Sequence, residues 1–327
     1  MRNEKAEVIP INDFKDFNIG NAQNIEAGTG CTAVICKKGA LAGVDVRGGS
    51  PGTRETDLLN PCCMNNGINA VMLAGGSAFG LDAAGGAMRF LEERGIGLDV
   101  GVTKVPIVSS AILFDLKCGN GHIRPDAEMG YKACEGAFEN NFCEGNFGAG
   151  TGATVGKIKG VDFAMKSGVG AKCFQLGSLK VGAVVAVNCV GDVLDSEENR
   201  IIAGTLNSDK KTFADSEKLL LNYYNKDLEV LSNGNTVIGA VITNAKMAKG
   251  EVNKLAAIAQ NGIVRAVRPA NSNFDGDTVF SMSSCEVNAN FDAVGVLAAH
   301  AMERAVVSAV KHALPAYGYA AHSDINL

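Results

Sequence analysis

The feature that most constrains this 327-residue chain is a succession of short apolar runs alternating with amphipathic segments of helical period. Residues 31–36, 41–46, 70–74, 181–187, 236–243 and 278–282 are the length of strands and too apolar for solvent, so each reads as a buried strand. Between them, residues 79–94 bring Phe79, Ala83, Met88 and Leu91 towards one face and stop at Gly95, as a helix does. Residues 246–267 carry Val252, Leu255, Ala256, Ala259, Ile263 and Val267 at helical spacing before Pro269, and residues 291–312 repeat the pattern from Val294 to Ala305. Strands and helices mixed along the whole length predict a layered α/β or α+β protein.

Composition narrows the function classes. With 46% hydrophobic and 20% charged residues the chain can bury a large core, either in two domains or in one large sandwich. Forty glycines against seven prolines describe tight turns and close backbone approaches. A formal net charge of -5 gives no reason to expect nucleic acid as a partner. The ten cysteines are scattered with no CxxC pair, which points to reduced thiols. The first residues are charged with no apolar stretch behind them, and no unbroken apolar run reaches about 18 residues. A cytoplasmic protein without a membrane partner is therefore expected.

Several familiar motifs fail on their spacing. Gly75-Gly76-Ser77-Ala78-Phe79 lacks the glycine that a nucleophile elbow needs two residues after its serine. The stretch from Gly148 to Lys157 has neither P-loop nor dinucleotide-binding spacing, which leaves Gly150, Thr151 and Gly152 as a loop whose N–H groups could hold an oxyanion or as a plain turn. His122, His300, His312 and His322 are dispersed and form no metal or triad signature. No metal or cofactor is expected, and a hydrolytic mechanism would need a base other than histidine.

The polar stretch 207–235 ends in Ser232-Asn233-Gly234-Asn235, and the next residue, Thr236, starts the apolar run Thr-Val-Ile-Gly-Ala-Val-Ile-Thr. An internal threonine hydroxyl is a poor nucleophile, but an N-terminal threonine carries its own base, an α-amine whose pKa is about 7.7 to 8.0. Attack of the Thr236 hydroxyl on the Asn235 carbonyl would give an ester that water opens, creating that amine without another protease. On pattern alone, most Asn-Thr pairs are simple strand starts, and Asn235-Thr236 reads as one.

A set of segments changes the balance. Gly30-Cys-Thr-Ala-Val, Asp45-Val-Arg-Gly-Gly-Ser-Pro-Gly-Thr-Arg-Glu-Thr-Asp, Leu73-Ala-Gly-Gly-Ser-Ala-Phe-Gly, Val105-Pro-Ile-Val, Gly148-Ala-Gly-Thr-Gly-Ala-Thr-Val-Gly-Lys, Asn235-Thr-Val-Ile and Phe274-Asp-Gly-Asp-Thr-Val-Phe follow one another across residues 30–280. Together they resemble the DmpA-type aminopeptidases, and most closely the branch of that family with the nylon-oligomer hydrolases. The resemblance implies an α+β fold, an αββα sandwich of N-terminal-nucleophile type, forming one catalytic domain of residues 1–327 self-cleaved into 1–235 and 236–327. It further implies Thr236 as nucleophile, Asp275 and Asp277 as the groups that orient it, Asn188 as oxyanion donor and Lys157 beside the nucleophile. Phe114 stands near a position where some members have tyrosine, which would shift oxyanion stabilisation towards Asn188 and backbone N–H groups. Implied substrates are short peptides, β- or D-amino acid derivatives, or aminohexanoate oligomers, and the implied assembly is a homo-oligomer, a tetramer of processed chains. An acyltransferase of the ornithine acetyltransferase type and an unprocessed binding protein are the alternatives.

Overall fold

The structure, a computed structural model, describes residues 5–65, 67–224 and 234–325. Among the described residues ten strands are linked by hydrogen bonds, nine on one path and β2 off it beside β3: β1 Glu7–Ile9, β2 Asn18–Asn24, β3 Thr29–Val46, β4 Thr53–Arg54, β5 Ile68–Ala74, β6 Val108–Ile112, β7 Val169–Leu176, β8 Leu179–Asn188, β9 Thr236–Ala245 and β10 Thr278–Val287. Among the described residues five α-helices accompany them: α1 Ala83–Glu92, α2 Ala127–Glu139, α3 Ser216–Asn222, α4 Lys249–Ala266 and α5 Phe291–Lys311.

The path folds into two layers because β3 belongs to both. Its first half pairs with β2 and β5, from Cys31 opposite Ala74 to Ile35 opposite Ala70, whereas Leu41 to Val46 pair with β10. The two runs expected as separate strands are thus one strand, and the polar Lys37-Lys38-Gly39 between them marks where it leaves one layer for the other. One layer runs β1-β7-β8-β9-β10 and the second half of β3; the other holds β2, the first half of β3, β5, β6 and β4.

Strand alternation then sorts the core into three parts. On β9, Val237 and Val241 face α4 and α5 together with Leu255, Ile263, Met302 and Val306. Ile238, Ala240 and Ile242 face the opposite sheet, where they meet Val34, Val71 and Leu73. Beyond that sheet, Ala33, Ile35 and Met72 pack on Ala84, Phe90, Ala133 and Ala137 of α1 and α2. Helices, sheet, sheet and helices make the expected αββα sandwich. Strands covered on both faces are apolar throughout, and all ten residues of β9 are buried. Each fully buried Val, Leu or Ile contributes roughly 1.5–3 kcal/mol.

Close approach explains part of the glycine content. A Cβ on Gly170 of β7 would lie 2.2 Å from the Ala305 carbonyl oxygen and 2.4 Å from the Ala309 nitrogen, so α5 can rest on β7 only with glycine there. Helix α5 is long and apolar enough by composition to cross a membrane, but most of its residues are buried against α4 and the sheet. The expected helix at 79–94 begins later, because residues Ser77–Asp82 form a 3-10 turn; Phe79 is exposed, with the Arg124 guanidinium over its ring at 3.8 Å. Helix α2 gave no clear period because its buried face consists of Gly130, Ala133, Cys134, Gly136 and Ala137.

Candidate active site

Thr236 opens β9 at the edge of the space between the two layers, with its side chain in phase with Ile238. Asn188, the last residue of β8, is its cross-strand partner. On the other side β9 runs parallel to β10, and the pairing extends back beyond both strands to Asn235 and Asp275. Asp275-Gly276-Asp277 therefore lies alongside Asn235-Thr236-Val237.

This extension fixes the Asn235-Thr236 bond. The Asn235 N–H donates to the Phe274 carbonyl at 3.3 Å, and the Gly276 N–H donates to the Asn235 carbonyl oxygen at 2.8 Å. The Thr236 hydroxyl donates to the same oxygen at 2.5 Å. Gly276 admits no side chain, since a Cβ would sit 2.7 Å from the Ser50 carbonyl oxygen and 3.0 Å from Thr236 Oγ.

The two carboxylates are held by backbone donors. Asp277 accepts from Val237 N–H at 2.7 Å and from Asn271 N–H at 2.9 Å, while Asp275 accepts from Ser272 N–H at 2.8 Å. Residues after β3 brace this turn: Arg47 N–H donates to the Asp277 carbonyl and Ser50 N–H to the Asp275 carbonyl, which accounts for the glycine-rich Arg47-Gly48-Gly49-Ser50. Burial pushes Asp277 up to about 7, with Asp275 adding to the rise, and burial raises Asp275 as well. At least one of these adjacent acids readily takes up a proton.

Lys157 is buried, and its Nζ donates to both the backbone and side-chain oxygens of Asn188, each at 2.9 Å. Burial pushes its pKa down to about 8, against the opposing pull of Asp275. Asn188 Oδ1 also accepts from Thr154 N–H at 3.0 Å, and its amide nitrogen donates to the Phe114 carbonyl at 3.0 Å. Asn188 is therefore a node tying Lys157, Thr154 and Phe114 together, and the Asn235 carbonyl takes its hydrogen bonds from Gly276 and Thr236.

The structure brings Thr236, Asn235, Asn188, Asp275, Asp277 and Lys157 together. Phe114 packs against Gly234 and, with Lys117, Gly152, Thr154, Lys157 and Tyr319, lines a small cleft beside the bond. The expected oxyanion loop is corrected in part. Gly150 N–H donates to Phe147 O and Thr151 N–H to Gly148 O, so neither faces the cleft. Residues 232–233 of the preceding segment lie outside the described residues. Sequence reading did not anticipate Gly276, Phe274 or Thr154; the glycine between two aspartates was the available signal for the first.

Residues 10–323 match the model of peptidase family S58. The chain belongs to this family. An uncharacterised aminopeptidase of Mycobacterium leprae (strain TN) is 39% identical to this S58 chain over 302 residues, covering 87% of this chain and 81% of the relative. A 6-aminohexanoate-oligomer endohydrolase of Kocuria sp. (strain KY2) is 31% identical over 316 residues, covering 91% and 85%. Among solved structures, the L-aminopeptidase D-Ala-esterase/amidase of Ochrobactrum anthropi, described as a variant of the Ntn hydrolase fold, superposes with a TM-score of 0.69 at 18% identity, over 94% of this chain and 88% of that one. A Burkholderia sp. beta-aminopeptidase superposes with a TM-score of 0.67 at 16% identity, covering 97% and 92%. The S58 chain shares the fold of these enzymes and is a hydrolase of peptide or linear amide bonds.

Proposed function

We propose that Thr236 is the nucleophile, that the chain first cuts its own Asn235-Thr236 bond, and that the resulting N-terminal threonine hydrolyses short peptides or other linear amides. The observation that carries this reading is the held Asn235 carbonyl, with the Thr236 hydroxyl and the Gly276 N–H on its oxygen and two buried carboxylates beside it.

In scission the hydroxyl proton passes to the carboxylate pair, Thr236 Oγ bonds to the Asn235 carbonyl carbon, and the C–N bond breaks as the nitrogen takes up a proton. Water then opens the ester, releasing Asn235 as a carboxylate and leaving a free amine on Thr236. That amine serves as base in the second reaction, with Asp275 and Asp277 orienting it. The buried site raises the strength of each of these interactions over its value in water.

The names of the relatives supply two substrate classes, N-terminal residues of peptides and aminohexanoate oligomers. Replacing Thr236 by alanine tests the proposal: the variant runs as a single band on denaturing electrophoresis and hydrolyses no amide. A Thr236→Ala chain that still splits or still turns over substrate contradicts it.

A further inference from the structure

Self-scission leaves behind a specific gap. While the bond is intact, Asn235 occupies one position of a parallel ladder, giving its N–H to Phe274 O and taking Gly276 N–H on its carbonyl. Once residues up to 235 move away, those two backbone groups lose their partners, and the Gly276 N–H lies in a buried setting, where an unmet donor is costly. A group that restores both bonds is favoured there.

The ester of scission and the acyl-enzyme of substrate hydrolysis are the same kind of bond, an acyl carbon on Thr236 Oγ. The strand position of Thr236 places both acyl groups against the same Phe274-Gly276 edge. Resting on the nucleophile assignment above, we infer that a substrate takes the place of Asn235 as one added strand residue. Its acyl-side N–H donates to Phe274 O and its carbonyl oxygen accepts from Gly276 N–H. In the reaction Thr236 Oγ bonds to the acyl carbon, the amide C–N bond breaks, and the hydroxyl proton passes through the Thr236 amine to the leaving nitrogen; water then cleaves the ester.

The ladder reads spacing. In an α-amino acid one carbon separates nitrogen from carbonyl, as in Asn235, and both bonds form together. A 6-aminohexanoyl unit sets five methylene groups between them and can satisfy only one. The contact requires an N–H rather than a positive charge, and an acyl cap on that nitrogen takes the place that Gly234, packed against Phe114, holds in the uncut chain. The favoured substrates are therefore α-peptides and α-aminoacyl amides, capped ones included.

Four p-nitroanilides of the purified, split enzyme's substrate panel test this: L-alanyl, N-acetyl-L-alanyl, N-acetyl-N-methyl-L-alanyl and N-acetyl-6-aminohexanoyl. The ladder predicts that kcat/KM for the N-acetyl-L-alanyl compound exceeds that of its N-methyl and aminohexanoyl counterparts by about tenfold or more, the value of one hydrogen bond. Equal rates for the N–H and N-methyl compounds overturn the inference, as does turnover of the uncapped compound alone or a faster aminohexanoyl compound. These outcomes leave the hydrolase reading standing. A split enzyme that cleaves none of the four overturns that reading together with the ladder.

Discussion

Asn188 and Thr236 face each other across adjacent antiparallel strands, and the Asn188 side-chain oxygen is held by the buried Lys157 ammonium at 2.9 Å. One asparagine thus anchors a buried charge and presents an amide next to Thr236. The two duties separate by substitution. Asn188→Asp keeps an acceptor for Lys157 but loses the N–H donors, the one on the Phe114 carbonyl included, so it costs less stability than Asn188→Ala while hydrolysis falls about 100-fold. Asn188→Ala also strips the ammonium of a partner, at a cost to stability of roughly 1–3 kcal/mol. Urea unfolding alongside kcat checks both; equal stability loss in the two variants contradicts the division of roles.

Gly234 precedes Asn235 at φ +62°, and a Cβ there would lie 2.5 Å from Phe114 Cβ. Gly234→Ala therefore moves the acyl side of the bond off the Gly276 N–H and slows scission. In Gly250→Ala the added Cβ meets nothing within 4 Å, and scission keeps its rate. Time courses of the uncut band after synthesis measure the difference, and identical courses for the two variants rule this geometry out.

The Asp277 carboxyl, at about 7 in the folded chain against 3.8 ordinarily, gives a stability prediction with a definite sign. Between these values the folded state holds a proton that the unfolded state has released. Its contribution to stability consequently falls as the pH rises through that window. Uncut Thr236→Ala protein compared with Thr236→Ala/Asp277→Asn isolates this group. Going from about pH 4.5 to about pH 7.5, the urea midpoint of the aspartate form drops relative to that of the asparagine form. A gap that does not change with pH is the contrary result.

The layering was legible because strands buried on both faces betray themselves as unbroken apolar runs, as 236–243 and 181–187 do. Where β3 changes layers, Lys37, Lys38 and Gly39 interrupted the run and one strand looked like two. Helix α2 stayed hidden because it packs through glycine and alanine, which leave little hydrophobic period to read. At the site, Thr236, Asn188, Asp275, Asp277 and Lys157 have side chains distinctive enough to be picked out through resemblance to a family. Gly276 and Phe274 meet Asn235 through backbone atoms, and no residue type in a sequence announces which N–H or C=O will do so. Gly150 and Thr151 show the converse: a glycine-rich stretch suggested free N–H groups, and local turns had already used them.

The proposed chemistry requires the chain to break between Asn235 and Thr236. N-terminal sequencing of the smaller fragment of the purified protein, with its intact mass, measures this directly. The prediction is a fragment of residues 236–327 whose first residues are Thr236, Val237 and Ile238. A chain that remains whole after prolonged incubation, or a fragment that begins at any other residue, contradicts it.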